Sequence, residues 1–300
     1  MAATNDTHAT DTVSGSGTDH SVGNGATSNG EFDEHGDGYD FGGATFDLDA
    51  PFDRELLRFI LSQALFGEAT AVYCGQSLYS ARSLEAARFY ARQARQELGH
   101  LQLFADIFRE LELEPLPPHW VIRMLSAHNH YYPLKVLMEH AVGEGMVLDI
   151  FKDLLLQTLP DGDPRVPSIK KKLRVVCREE AEHVAWGEKE TRAILNEKPW
   201  LRLPFTGLVE LQLASLPFLV SRLKGVRSDH PVLTQLGPFV DHVSERVRQQ
   251  GRKLGFYPER PPRGLERVAQ MAAGTLLFAR SQLARSKSRL DKDYLRELGF

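Results

Sequence analysis

Four glutamates and two histidines sit inside the apolar stripes of four consecutive helix-forming stretches, and this buried charge constrains the chain more than any other feature. Leu57, Leu61, Ala64, Leu65, Ala71 and Val72 recur at helical spacing and enclose Glu68. Tyr90, Leu101, Phe104 and Phe108 form a second stripe, which holds Glu97 and His100. Leu134, Leu137, Ala141, Val147, Leu148 and Phe151 flank Glu144, and Leu173, Val176, Cys177 and Val184 flank Glu180 and His183. Residues three or four apart share a helix face, so each Glu-x-x-His aims both side chains at one point.

A carboxylate taken from water into an apolar core is costly unless it is paired or bound to a metal. Four together repel one another as well. Two divalent cations balance the four charges, and the imidazoles add neutral ligands. Arg or Lys could supply the charge instead, but Arg82, Arg88, Arg92 and Arg95 mostly fall off the buried stripe of their helix, and the third helix has almost no basic residue. A lone Glu-x-x-His carries little weight, since roughly one would arise by chance in such a chain. Here two occur, each preceded by a helical Glu on an apolar face at separations of 29 and 36 residues. Such separations suit a helix, a turn and a return along an antiparallel neighbour.

The rest of the chain fits an all-α fold. From Pro51 the periodicity predicts helices near 52–78, 82–112, 131–160, 164–196, 203–224, 229–254 and 262–290. Pro115-Leu116-Pro117-Pro118 and Pro160-Asp161-Gly162-Asp163-Pro164 supply breaks. Residues 51–196 form two similar helix pairs and are expected to be a four-helix bundle, with 197–300 a helical extension packed on it. Residues 1–50 carry ten acidic side chains, no Lys or Arg, and mostly Gly, Ser, Thr, Asn and Asp, so a disordered acidic tail is expected. The remainder then holds 36 basic against 30 acidic groups, too slight and scattered an excess to argue for nucleic acid. Cys74 and Cys177 make no disulfide framework, and no signal-like segment or long apolar run is present, so a cytoplasmic protein without a membrane span is expected.

The order Glu68, Glu97-x-x-His100, Glu144, Glu180-x-x-His183 resembles the ferritin-like di-iron carboxylate superfamily, which includes the ribonucleotide reductase small subunit, desaturases and bacterial hydroxylases. The segment Gly143-Glu144-Gly145-Met146-Val147-Leu148-Asp149 is similar to the third-helix motif of that group. The resemblance covers about residues 52–196 and selects no subfamily. It implies a ferritin-like bundle in which Glu68, Glu97 and His100 serve one iron and Glu144, Glu180 and His183 the other, with some glutamates bridging. Two histidines with four carboxylates resemble the oxygen-activating members. The implied function is an oxygen-dependent oxidase, hydroxylase or desaturase with two Fe, O2 as co-substrate, an external electron donor and an organic substrate. Mn/Fe or Mn suit the same ligands. The apolar stretch Leu203–Leu223 hints that the substrate is hydrophobic. A homodimer is the candidate assembly. The alternative is a ferroxidase or metal-handling protein with no organic substrate, and a third is a bundle that turns nothing over.

Weaker candidates surround these six. His140, one turn before Glu144, reads as a buried, hydrogen-bonded histidine ahead of an extra ligand. Glu139 is expected to point about 140° away from Glu144. Glu179 and Glu182 fall off the Glu180 face and read as solvated. Trp186 and Tyr90 share faces with ligands and read as core before electron relay, and Cys177 as packing. The His128-Asn129-His130 cluster has no spacing partner. Arg280, Arg285, Lys287 and Arg289 read as a solvated face. Glycines beside the ligands (Gly67, Gly99, Gly143, Gly145, Gly187) fit either open space at the site or close helix packing.

Overall fold

A computed structural model describes residues 38–117, 131–224 and 229–283. The His128-Asn129-His130 cluster, Arg285, Lys287, Arg289 and residues 1–37 of the expected tail lie outside them. Among the described residues the chain is all helical, without a strand. The helices are α1 (Pro51–Ala71), α2 (Leu84–Glu110), α3 (132–158), α4 (Val166–Glu197), α5 (Arg202–Lys224), α6 (Pro231–Leu254) and α7 (Gly264–Leu283). The stretch expected to complete the first helix is instead a 3-10 helix, Val72–Tyr79.

Directions follow from side-chain pairings along the axes. Arg54 reaches the Leu111 carbonyl at 3.0 Å, Glu68 meets His100, and the Cys74 thiol lies 3.9 Å from the Tyr90 carbonyl, so α1 and α2 are antiparallel. Glu85 with Lys189, Gln96 with His183 and Glu110 with Lys172 set α4 antiparallel to α2. Tyr90 beside Tyr132, Gln93 on Glu144 and Phe104 against Phe151 make α3 parallel to α2. Residues 111–117, after α2, run back against α1, where Arg58 donates to the Glu114 carbonyl at 2.6 Å and the Leu116 amide donates to Ser62 at 2.9 Å.

The four helices bury the stripes foreseen from periodicity. Leu57, Leu61, Phe104, Leu134, Leu137, Phe151, Leu173 and Val176 are all inaccessible or nearly so. Burial of each such side chain is worth about 1.5–3 kcal/mol, which makes this stripe the main source of helix stability. The ligand carboxylates ride on it.

α3 is not a uniform α-helix. Val136–Gly143 and Ile150–Leu155 are π-helical, with α-helical Glu144–Asp149 between them. Hydrogen bonds from residue i to i+5 widen the turn and realign the side chains on either side. The remaining helices share one compact unit with the first four. α6 braces α3 through Arg246 on Asp149 at 2.5 Å and α4 through Gln250 on Glu188 at 3.2 Å. α5 packs on α7 and α6, burying Phe205, Leu208, Val209 and Leu213.

Residues 38–50 depart from the expected tail. Phe41, Phe46 and Leu48 are buried, the Phe41 ring packs against Phe239, and the Phe46 amide donates to the Thr158 carbonyl at 2.9 Å. Aromatic side chains clustered at the end of the acidic segment give it apolar surface to bury. It straps the C-terminal part of α3 to α6.

Candidate metal centre

All six of the sequence-derived ligands are buried and converge. Glu97, His100 and His183 have no exposed surface, and Glu144, the most accessible, retains 7 %. α1 delivers Glu68, α2 delivers Glu97 and His100, α3 delivers Glu144, and α4 delivers Glu180 and His183. His100 Nδ1 lies 3.0 Å from Glu68, 3.3 Å from Glu97 and 3.3 Å from Glu180. His183 Nδ1 lies 3.4 Å from Glu97, 3.5 Å from Glu180 and 3.9 Å from Glu144.

Two cation-sized groups result: Glu68, Glu97, His100 and Glu180, and Glu97, Glu144, Glu180 and His183. Each has its donor atoms within 4.8 Å of one another. Glu97 and Glu180 belong to both. The resemblance leaves the bridging glutamates unassigned; Glu97 and Glu180 are the two residues common to these groups.

No protein-family model matches the chain, and no curated protein does.

The electrostatics of the centre therefore have to be argued from its own atoms. Among the described residues, no Lys or Arg lies in ion-pair range of any of the four glutamates, which removes the basic side chains as counter-charge. Burial, reinforced by the charge of Glu180, pushes the Glu68 carboxyl well above its ordinary range, and burial does the same to Glu144. Burial alone would depress the histidines. Hydrogen bonds and charges from the carboxylates outweigh it, raising His100 strongly and His183 to about 9. Glu180 also suffers from burial, yet its bonds to both histidines hold it at about 2. Such a set demands positive charge, as protons or as metal.

The donor chemistry fits metal. The outward nitrogens are already engaged: His100 Nε2 lies 3.1 Å from Glu179 Oε2, and His183 Nε2 lies 3.0 Å from Gln96 Oε1. Both partners are acceptors, so a metal-bound, neutral ring would keep its proton on Nε2 and turn the Nδ1 lone pair inward. Those lone pairs and the carboxylate oxygens would then converge on one cation in each group, which would take the place of the protons that otherwise hold rings and carboxylates together. Consistently, His183 Nδ1, Glu97 Oε2, Glu144 Oε2 and Glu180 Oε2 are buried without a hydrogen-bond partner. Four such atoms gathered at one point fit a group that binds a cation.

Two polar side chains of this centre, Gln93 and Gln96, were not foreseen, and Glu179 was misplaced. Gln93, fully buried one turn before Glu97, donates to Glu144 at 2.6 Å and to Glu97 at 3.3 Å, holding one shared and one terminal carboxylate apart. Gln96 and Glu179 hold the rings. Glu179 is thus not the solvated residue expected from its position beside Glu180; a long side chain reaches across the interface to the facing helix. Glu182 is exposed, as its face requires.

Glu139 also differs from expectation. It groups with His140 and Glu144 rather than pointing away, because in π-helical backbone residues five apart line up. Lys135 pairs with it. His140 is fully buried, its Nδ1 lies 3.0 Å from Glu144, and burial lowers it to about 3, so it is a neutral neighbour of that carboxylate. Trp186 stacks on Phe89 at 3.8 Å and, with Tyr90, walls His140. Cys177 is buried and belongs to neither cation-sized group.

Glycine explains how closely α3 and α4 meet here. A Cβ on Gly187 would lie 2.5 Å from His140 Cβ, and one on Gly143 would lie 2.6 Å from the Met138 carbonyl oxygen. Gly187 serves the close approach of α3 and α4, whereas Met138 is on α3 itself, so Gly143 serves the π-helical turn. Gly67 and Gly99 meet nothing within 4 Å.

Proposed function

We propose that the chain is a ferritin-like di-iron carboxylate oxidoreductase that couples O2 reduction to oxidation of a small organic substrate, with electrons from an external donor. One observation carries this reading: two cation-sized ligand groups that share Glu97 and Glu180, each completed by one histidine and one further glutamate. Glu68 and Glu144 would be the terminal carboxylates, and His100 and His183 the terminal nitrogen donors. Bound iron would pass electrons from the external donor and the substrate to O2.

The chain's own residues prepare that chemistry. Hard anionic oxygens favour the higher oxidation states of iron. Two shared carboxylates keep both positions at a fixed separation on two rigid helices, and Gln93 steadies the Glu97 and Glu144 oxygens from one side. Glu68 and Glu144 would each be held to one position only, Glu144 by Gln93 and His140 as well and Glu68 beside His100. No described helix is long and apolar enough to cross a membrane.

Anaerobic loading with Fe(II), followed by exposure to O2, tests the proposal. Oxygen uptake that continues only with a reductant and an organic compound supports it. Iron accumulating far beyond two per chain with uptake ending at iron oxidation would establish the ferroxidase alternative, and no uptake at all would overturn both.

A further inference from the structure

The two histidines are braced by a reciprocal device. Gln96 and Glu179 each immediately precede a shared glutamate, in Gln96-Glu97-x-x-His100 on α2 and Glu179-Glu180-x-x-His183 on α4. Each holds the ring of the opposite helix: Glu179 of α4 accepts from His100 of α2, and Gln96 of α2 accepts from His183 of α4. The two antiparallel helices thus present the same bracing twice. It is unequal in one respect, because one acceptor is a carboxylate and the other a neutral amide.

That difference has a direct electronic consequence. A carboxylate accepting the Nε2 proton draws it outward and raises the basicity of Nδ1, so the ring becomes a stronger donor to a cation. An amide oxygen does so much less. The terminal carboxylates act in the same direction: Glu144 already accepts from Gln93 at 2.6 Å, which draws on its charge, whereas Glu68 faces His100 of its own group. His140 contacts Glu144 on the weaker side and adds no charge of its own there.

We infer that Glu179 makes the two cation positions unequal, so that the position at His100 binds more tightly and fills first, and that Glu179 and Gln96 are the positioning residues that set this order. The inference rests on the di-metal reading above. Glu179 is partly exposed, 23 % for its side chain, so replacing it does not open the core.

Anaerobic titration of the full chain with Co(II), followed by visible absorption and calorimetry, tests it. The native chain should take up Co(II) in two resolved steps. Glu179→Gln keeps a hydrogen-bond acceptor and should weaken the first step by about 10- to 100-fold, leaving the second in place, so that the steps merge. Gln96→Glu should tighten the second step instead, a gain that no loss of structure can mimic. The first equivalent should also perturb the His100 ring proton before the His183 ring proton in paramagnetically shifted NMR spectra. Two equal, simultaneous steps in the native chain would overturn the inference, as would Glu179→Gln leaving both steps unmoved. Absence of any Co(II) binding would bring down the di-metal reading itself.

Discussion

Residues in this centre divide by which of the two proposed cation groups they join, and that division is measurable. Glu97 and Glu180 belong to both of these, whereas Glu68 joins only the His100 group and Glu144 only the His183 group, Glu144 also meeting Glu139 and His140. Replacing a shared carboxylate should empty both positions; replacing a terminal one should spare the other. Glu97→Gln or Glu180→Gln is therefore expected to reduce bound metal towards zero, and Glu68→Gln or Glu144→Gln to leave close to one equivalent, by elemental analysis after anaerobic loading. Equal loss in all four variants would refute the shared arrangement. The buried convergence of these six residues was legible because a charged residue on an apolar stripe has a large desolvation cost that must be met inside the protein. Gln93 carried no such flag, since an amide on a helix face costs little to leave in water. Glu179 and Gln96 were hidden because helix-face arithmetic places the Cα–Cβ bond, not the reach of a long side chain to a neighbouring helix.

Helix boundaries were read closely: the expected 82–112, 164–196 and 229–254 are Leu84–Glu110, Val166–Glu197 and Pro231–Leu254. α3 shows what periodicity misses. Its π-helical stretches leave the apolar pattern almost unchanged while bringing Glu139 round to His140 and Glu144. The stretch persists beside a crossing so tight that a methyl group cannot enter. Gly187→Ala would put its Cβ 2.5 Å from His140 Cβ and should push α3 from α4, separating Glu144 from His183. A loss of about 1–3 kcal/mol is expected from the overpacking, with a fall in metal affinity at the His183 position. Gly99→Ala faces open space and should instead stabilise α2 by about 1 kcal/mol, the ordinary helix propensity difference. Thermal melts of the two variants should move in opposite directions. If Gly187→Ala melts at or above the native temperature, the close approach has no structural role.

At the scale of the whole molecule, the segment before the first helix is a structural part, and composition hid this by averaging Phe41, Phe46 and Leu48 with the acidic residues around them. Phe46 is 1 % exposed, so Phe46→Ala should cost about 3–5 kcal/mol in denaturant unfolding, as for a helix-core aromatic. The strap ends on Asp153 of α3, which accepts from the Tyr39 amide at 3.1 Å, and one turn earlier Asp149 receives Arg246 of α6. Strap, α3 and α6 therefore meet at two buried acids. Burial raises Asp149 to about 7, even though Arg246 pulls it down and Asp153 adds to the rise. An unfolded Asp titrates near pH 4. Between about pH 4 and 7 the folded chain then holds a proton that the unfolded chain has released, and stability contributed by this group falls as pH rises through that window. Above pH 7 the charged carboxylate stays buried at its full cost, offset in part by Arg246. Asp149→Asn removes the titration, so the difference in stability between native and variant chains should shift in favour of the variant from pH 4.5 to 7.5. The sign is the opposite of an ordinary surface Asp–Arg pair, whose stability grows as pH rises. Melting curves of both proteins across that range decide between them: a difference that is flat, or that moves towards the native chain, would mean that Asp149 is ionised throughout and that Arg246, not burial, governs the joint between strap, α3 and α6.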